Sequence, residues 1–93
     1  NMGSFTNQPD FATRAMEITP SDDLTPDNNL GKAALYISDA AAATCTVTVQ
    51  MPDRNGDLAP VTFKNVPRGT FLPICVDYLL ESGTTATRII AYW

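Results

Sequence analysis

The sequence predicts an all-β domain, a small β-sandwich or barrel of about six or more short, mainly antiparallel strands. Three observations carry that expectation. Residues 44–51, TCTVTVQM, alternate strictly: Cys45, Val47, Val49 and Met51 point one way, Thr44, Thr46, Thr48 and Gln50 the other. Such period-two patterning belongs to a strand with one buried and one wet or lightly covered face. Residues 61–80, VTFKNVPRGTFLPICVDYLL, read as a strand, a tight turn and a longer strand whose apolar side chains must share a core. Twelve threonines, with many Val, Ile, Tyr and Phe, favour a pleated surface, while Gly and Pro fall singly, as turn punctuation does.

Residues 1–12 are polar apart from the isolated Phe5 and Phe11 and include the Pro9–Asp10 step. They read as an extended arm ahead of a single β domain over 13–93. A frayed terminus is the plain alternative, but a free arm has little reason to expose two phenylalanines. The arm is therefore expected to order against a neighbouring subunit. Residues 13–19 set Arg14, Met16 and Ile18 against Thr13, Ala15 and Glu17, a half-buried first strand. Residues 20–31, PSDDLTPDNNLG, form a turn-rich loop whose Asp and Asn side chains favour local bonds to the backbone. Their oxygens suit a hard cation, yet the loop matches no fixed ligand spacing, so a solvated acidic loop is expected and no metal site.

Residues 32–38 place Leu35 and Ile37 on one face and Tyr36 on the other, and residues 39–43 read as a loop, too short to hold a helix. After the 44–51 strand, Asn55–Gly56 offers positive-φ residues between two alternating runs, a hairpin signal with a loop longer than two residues. Asp53, Asn55 and Asp57 mimic the start of a calcium loop. However, Gly56 falls one place early, and Lys64 stands where a bidentate Glu is needed. In the turn at 66–70, Pro67 fixes φ and Gly69 permits positive φ, which fits a type II or a bulged turn. Beyond it Leu72, Ile74, Val76, Tyr78 and Leu80 are expected on one face, with Pro73, Cys75, Asp77 and Leu79 on the other. Residues 81–85 turn the chain into a last strand that ends in Tyr92–Trp93. A terminal aromatic pair implies either a pinned central strand or a subunit contact.

The net charge of −4 is localised: residues 1–30 hold five acids and one base, and the remainder balances. Without a basic stripe, direct nucleic-acid binding is not expected. No run of 18 apolar residues occurs, so no membrane insertion is expected, and the start shows no signal-peptide pattern. Two cysteines, Cys45 and Cys75, are too few for a disulfide scaffold and read as small buried or half-buried hydrophobes in a reducing compartment. The absence of histidine removes the commonest general base. Asp77 and Glu81 formally make a carboxylate pair, but a charged pair on a solvated face is the plainer reading. No catalytic residues and no cofactor are expected.

Four segments in order then resemble one family. These are RAMEITPSDD (14–23), GKAALYIS (31–38), the VPRGTFLP core of 61–80, and SGTTATRIIAYW (82–93). Together they are similar to the spike base proteins of gene transfer agents and related tailed bacteriophages, over residues 14–93. Ser82 stands where that family often has Thr, and the 44–65 hairpin is longer and more polar than its pattern. The resemblance implies a structural virion protein on the capsid surface, made in the host cytoplasm. Its partners would be the major capsid protein and a spike or fibre protein, and it would form a ring of identical subunits. The alternatives are a cement protein stapling capsomers and a carbohydrate-binding module using Trp93, Tyr92, Tyr36 and Tyr78. Candidate subunit-interface residues are Phe5, Phe11, Arg68, Phe71, Tyr92 and Trp93.

Overall fold

A computed structural model describes residues 11–93. Seven strands run β1 (Ala15–Ile18), β2 (Ala33–Ala40), β3 (Thr44–Pro52), β4 (Leu58–Pro67), β5 (Phe71–Val76), β6 (Tyr78–Leu80) and β7 (Ala86–Tyr92). A single 3-10 turn, Pro26–Asn28, interrupts the first long loop. The strands form two antiparallel sheets, ordered β1-β7-β2-β5 and β4-β3-β6. The all-β, sandwich-like class expected from the alternation is what the chain adopts.

The core lies between the inner faces. Leu35 and Ile37 of β2 and Ile89 and Ala91 of β7 meet Val47 and Val49 of β3 and Leu79 of β6. Leu35, Ile37, Ile89, Val47 and Val49 are fully buried, each stabilising the fold by about 1.5–3 kcal/mol through removal from water. β7 is central, paired on one side with β1 and on the other with β2. That position explains why the chain's last strand is apolar up to its final residues.

Two sequence expectations change in three dimensions. First, the 72–80 segment is not one strand. It leaves the first sheet at Val76 and enters the second at Tyr78, so β5 and β6 belong to different sheets. Asp77 sits at the switch, is only 6% exposed, and shifts the alternation by one place. Leu72, Ile74 and Val76 face inward as expected, but beyond the switch it is Leu79, not Tyr78 or Leu80, that is buried. Asp77 is thus not on a solvated face: Lys32 Nζ lies 3.1 Å from its Oδ2, and its backbone bonds Gln50 and Leu30. Second, β1 is shorter and wetter than a half-buried strand, because it is a sheet edge, with Met16 63% exposed.

Smaller corrections follow the same logic. β2 continues to Ala40, so the expected loop shrinks to a bend at 41–43. The β3–β4 hairpin turns over residues 53–57 with Gly56 at φ +86°, while Asn55 keeps an ordinary φ. The outer threonine row of β3 is not all wet: Thr48 is buried beneath the Gly83 turn.

The strand–turn–strand expected over 61–80 is an arch between sheets, since β4 and β5 lie in different ones. β2 clasps that arch. Gly69 N–H donates to Ile37 O (2.7 Å), Ile37 N–H donates to Thr70 O (2.9 Å), and Thr70 Oγ1 donates to Pro67 O (2.7 Å). Gly69 has φ +82°, which a side-chain-bearing residue adopts only with strain.

Candidate functional site: an aromatic sheet face

Alternation along the first sheet sends Tyr36 of β2, Phe71 of β5 and Ile90 and Tyr92 of β7 to its outer face. Register joins them: Tyr36 pairs with both Phe71 and Ile90, and Ala34 pairs with Tyr92. The Tyr36 and Phe71 rings lie 4.5 Å apart, tilted by 40°, and Phe71 meets Tyr92 edge-on at 5.8 Å. Such tilted and edge-to-face pairs are favourable by about 0.5–1.5 kcal/mol beyond area burial. Even so, Phe71 stays 63% exposed. Partial burial pushes the Tyr92 hydroxyl pKa above its ordinary value.

The rim is polar. Arg68 at the arch tip reaches within 4.0 Å of Asp39, and Arg88 lies 3.5 Å from Glu17. All four side chains are well exposed, so each pair contributes at most about 1 kcal/mol. Of the six residues singled out in the sequence, the structure therefore gathers Phe71 and Tyr92 and sets Arg68 on the same arch. Phe11 stands apart, 75% exposed. Phe5 lies outside the described residues.

Trp93 is placed otherwise. Its indole Nε1–H donates to Leu30 O at 2.6 Å, its backbone exchanges bonds with Arg14, and the Arg14 guanidinium sits 5.4 Å from the ring centroid. The ring packs against the core and closes the strand end within its own chain. The strand is thus central and pinned, and the half-buried indole spends its N–H on a bond within its own chain. Of the four aromatics considered as carbohydrate platforms, only Tyr36 and Tyr92 share this face. Tyr78 stands in the other sheet.

A concavity of about 440 Å³ opens beside the β1 edge, away from this face, lined by Met16, Ile18, Asn28, Leu30, Leu79 and Trp93, among others. Among the described residues, no group of three or more Cys, Asp or Glu is placed to hold a metal ion. Asp53 Oδ1 accepts the N–H groups of Asn55 and Asp57, so that carboxylate organises the hairpin turn. Cys45 is buried, which raises its thiol pKa, but Cys75 is exposed on β5, contrary to the expectation of two buried or half-buried thiols. No helix among the described residues is long and apolar enough to cross a membrane.

The residues sequence reasoning passed over are those joining distant segments. Asp22 accepts both the Ser82 N–H (2.9 Å) and the Ser82 hydroxyl (2.6 Å), sixty positions away. Thr84 and Thr85 offer Oγ1 to the Thr48 and Thr46 N–H groups at 3.0 and 2.9 Å. They continue the β3 ladder beyond the point where the three-residue β6 ends. Runs of Ser, Thr and Gly read as turns in a sequence, and only the fold reveals that their hydroxyls replace a missing strand. No family model and no curated protein matches this chain.

Proposed function

We propose that this chain is a structural protein of the phage head, the base that anchors a spike or fibre to the capsid at vertices. The observation that carries the reading is the order and spacing of the four segments that resemble spike base proteins, over residues 14–93. Their roles in the fold support treating them as one unit. The first and last are tied by Asp22 and Ser82, and the second clasps the third where Ile37 bonds Gly69 and Thr70. Residues that make up the resemblance thus include several that link the two sheets, as a small adaptor with a thin core needs.

The aromatic face adds a surface suited to protein contact, since exposed aromatics with a charged rim resemble the anchors of interfaces. Cryo-electron microscopy of the particle tests the proposal. Density for this chain is expected at capsid vertices, between the major capsid protein and a fibre. Finding it only in the tail, or not in particles, overturns the reading. A copy number far above that of the vertices makes it a cement protein instead.

A further inference from the structure

We propose that Asn55, at the tip of the β3–β4 hairpin, is a site of spontaneous covalent modification, deamidating through a cyclic succinimide, and that the Asp53 side chain sets its rate by holding the turn closed. The chemistry belongs to the chain itself and stands apart from the head-vertex reading.

Of the six asparagines, at 1, 7, 28, 29, 55 and 65, only Asn55 precedes a glycine. That neighbour decides the reaction. The main-chain nitrogen of Gly56, its proton taken by hydroxide, attacks Asn55 Cγ. The bond from Gly56 N to Cγ forms, the Cγ–Nδ2 bond breaks, and Nδ2 leaves as ammonia. Water then opens the five-membered ring at either carbonyl. One opening gives aspartate. The other gives isoaspartate, whose main chain runs through the former side chain. A side chain on the following residue would crowd the attack. Gly56 has none, and nothing stands within 4 Å of where one would project. Asn55 and Gly56 are both exposed, so hydroxide and water reach them. The other described asparagines differ. Asn28 Nδ2 donates to Asp23 O at 2.9 Å, and Asn29 Oδ1 accepts the Gly31 N–H at 2.8 Å. Asn65 is followed by the branched, buried Val66.

The folded turn restrains the attacking atom. Gly56 N–H donates to Asp53 O at 3.0 Å. Asp53 Oδ1 accepts the N–H groups of Asn55 at 2.8 Å and Asp57 at 3.1 Å, so one carboxylate fixes the backbone on both sides of the reacting bond. Ring closure frees the Gly56 N–H and rotates the Asn55 backbone, which requires a local opening of the turn. Modification then removes its own restraint. Isoaspartate lengthens the main chain by one carbon, so the three bonds to Asp53 no longer fit one turn. The loosening ends at Pro52–Leu58, where the ladder begins, and the buried Val47 and Val49 lie beyond it.

The experiment holds the purified full chain at pH 8 and follows it by anion exchange and by peptide mapping that separates aspartate from isoaspartate. Each event takes the formal net charge from −4 to −4 − 1 = −5. Asn55 is expected to convert ahead of the other asparagines and to give both products. Asp53→Ala removes both side-chain bonds and should speed conversion about tenfold. Asp53→Asn keeps an Oδ1 acceptor and should leave the rate close to that of the unaltered chain. Another asparagine converting first, or aspartate at position 55 without isoaspartate, overturns the site. An Asp53→Ala rate equal to that of the unaltered chain overturns the clamp. So does Asp53→Asn as fast as Asp53→Ala, since the carboxylate would then act through its charge and not its bonds.

Discussion

A methyl group added at Gly83 would overlap Thr48 Oγ1, and the backbone there has φ +87°. Thr48 cannot retreat, because it is buried and its hydroxyl shares a hydrogen bond with Thr62 at 2.9 Å. Gly56 has the same backbone sign, at φ +86°, but open space where the methyl would go. The pair separates conformational strain from overpacking. We expect Gly56→Ala to cost about 1 kcal/mol, and Gly83→Ala about 2–4 kcal/mol once steric overlap is added. Urea denaturation of the two variants checks the order. Asp22 gives a residue-scale prediction in pH. The two bonds from Ser82 hold its carboxyl below the ordinary carboxylate pKa, the side-chain bond contributing most. A depressed folded-state pKa means that the tether is fully present above the unfolded value of about 3.9, and is lost as pH falls through the lower folded value. Amide exchange at Ser82 should therefore accelerate selectively in that acid window, and Asp22→Asn should remove most of the pH dependence.

At the scale of elements, the most informative segment is the one in which β5 becomes β6. Period-two patterning made the strand at 71–76 legible, because Leu72, Ile74 and Val76 do face the core. It could not mark the sheet switch, since a strand that changes sheets and one that continues differ by a single residue of phase. Asp77 was the only local sign, an acid within an apolar run, and its meaning depends on Lys32, forty-five positions earlier. Lys32 itself has φ +68°, a conformation that nothing in its side chain requests. The β3–β4 hairpin lies nearer the other extreme, because from Val47–Phe63 to Pro52–Leu58 its register follows from local alternation and the turn residues, and a bulge shifts it only between Cys45 and Val47. The candidate site divides the same way. Phe71 was legible as an aromatic beside a turn tip, whereas its union with Tyr36 and Tyr92 needed the pairing of β2 with both β5 and β7. Lys32→Met tests the switch: it leaves the Asp77 carboxylate buried without its cation. Because the ammonium is half exposed, the loss is expected to be about 1–3 kcal/mol, read as a lower urea midpoint with an unchanged m-value.

For the whole molecule, the two sheets give two thiols opposite fates, and that makes the sandwich measurable. Cys75 lies on the exposed side of β5, in line with Phe71 and Pro73, while Cys45 is buried on β3, its Sγ donating to Val66 O at 3.4 Å. Burial also raises the Cys45 pKa, which lowers its thiolate fraction and so its reactivity further. With an aromatic disulfide reagent at pH 8, one thiol equivalent should react promptly in the native protein. The second should follow only as the sheets separate, with a rate that climbs with urea in step with global unfolding. Prompt reaction of both thiols would mean that β3 and β4 open locally without loss of the core.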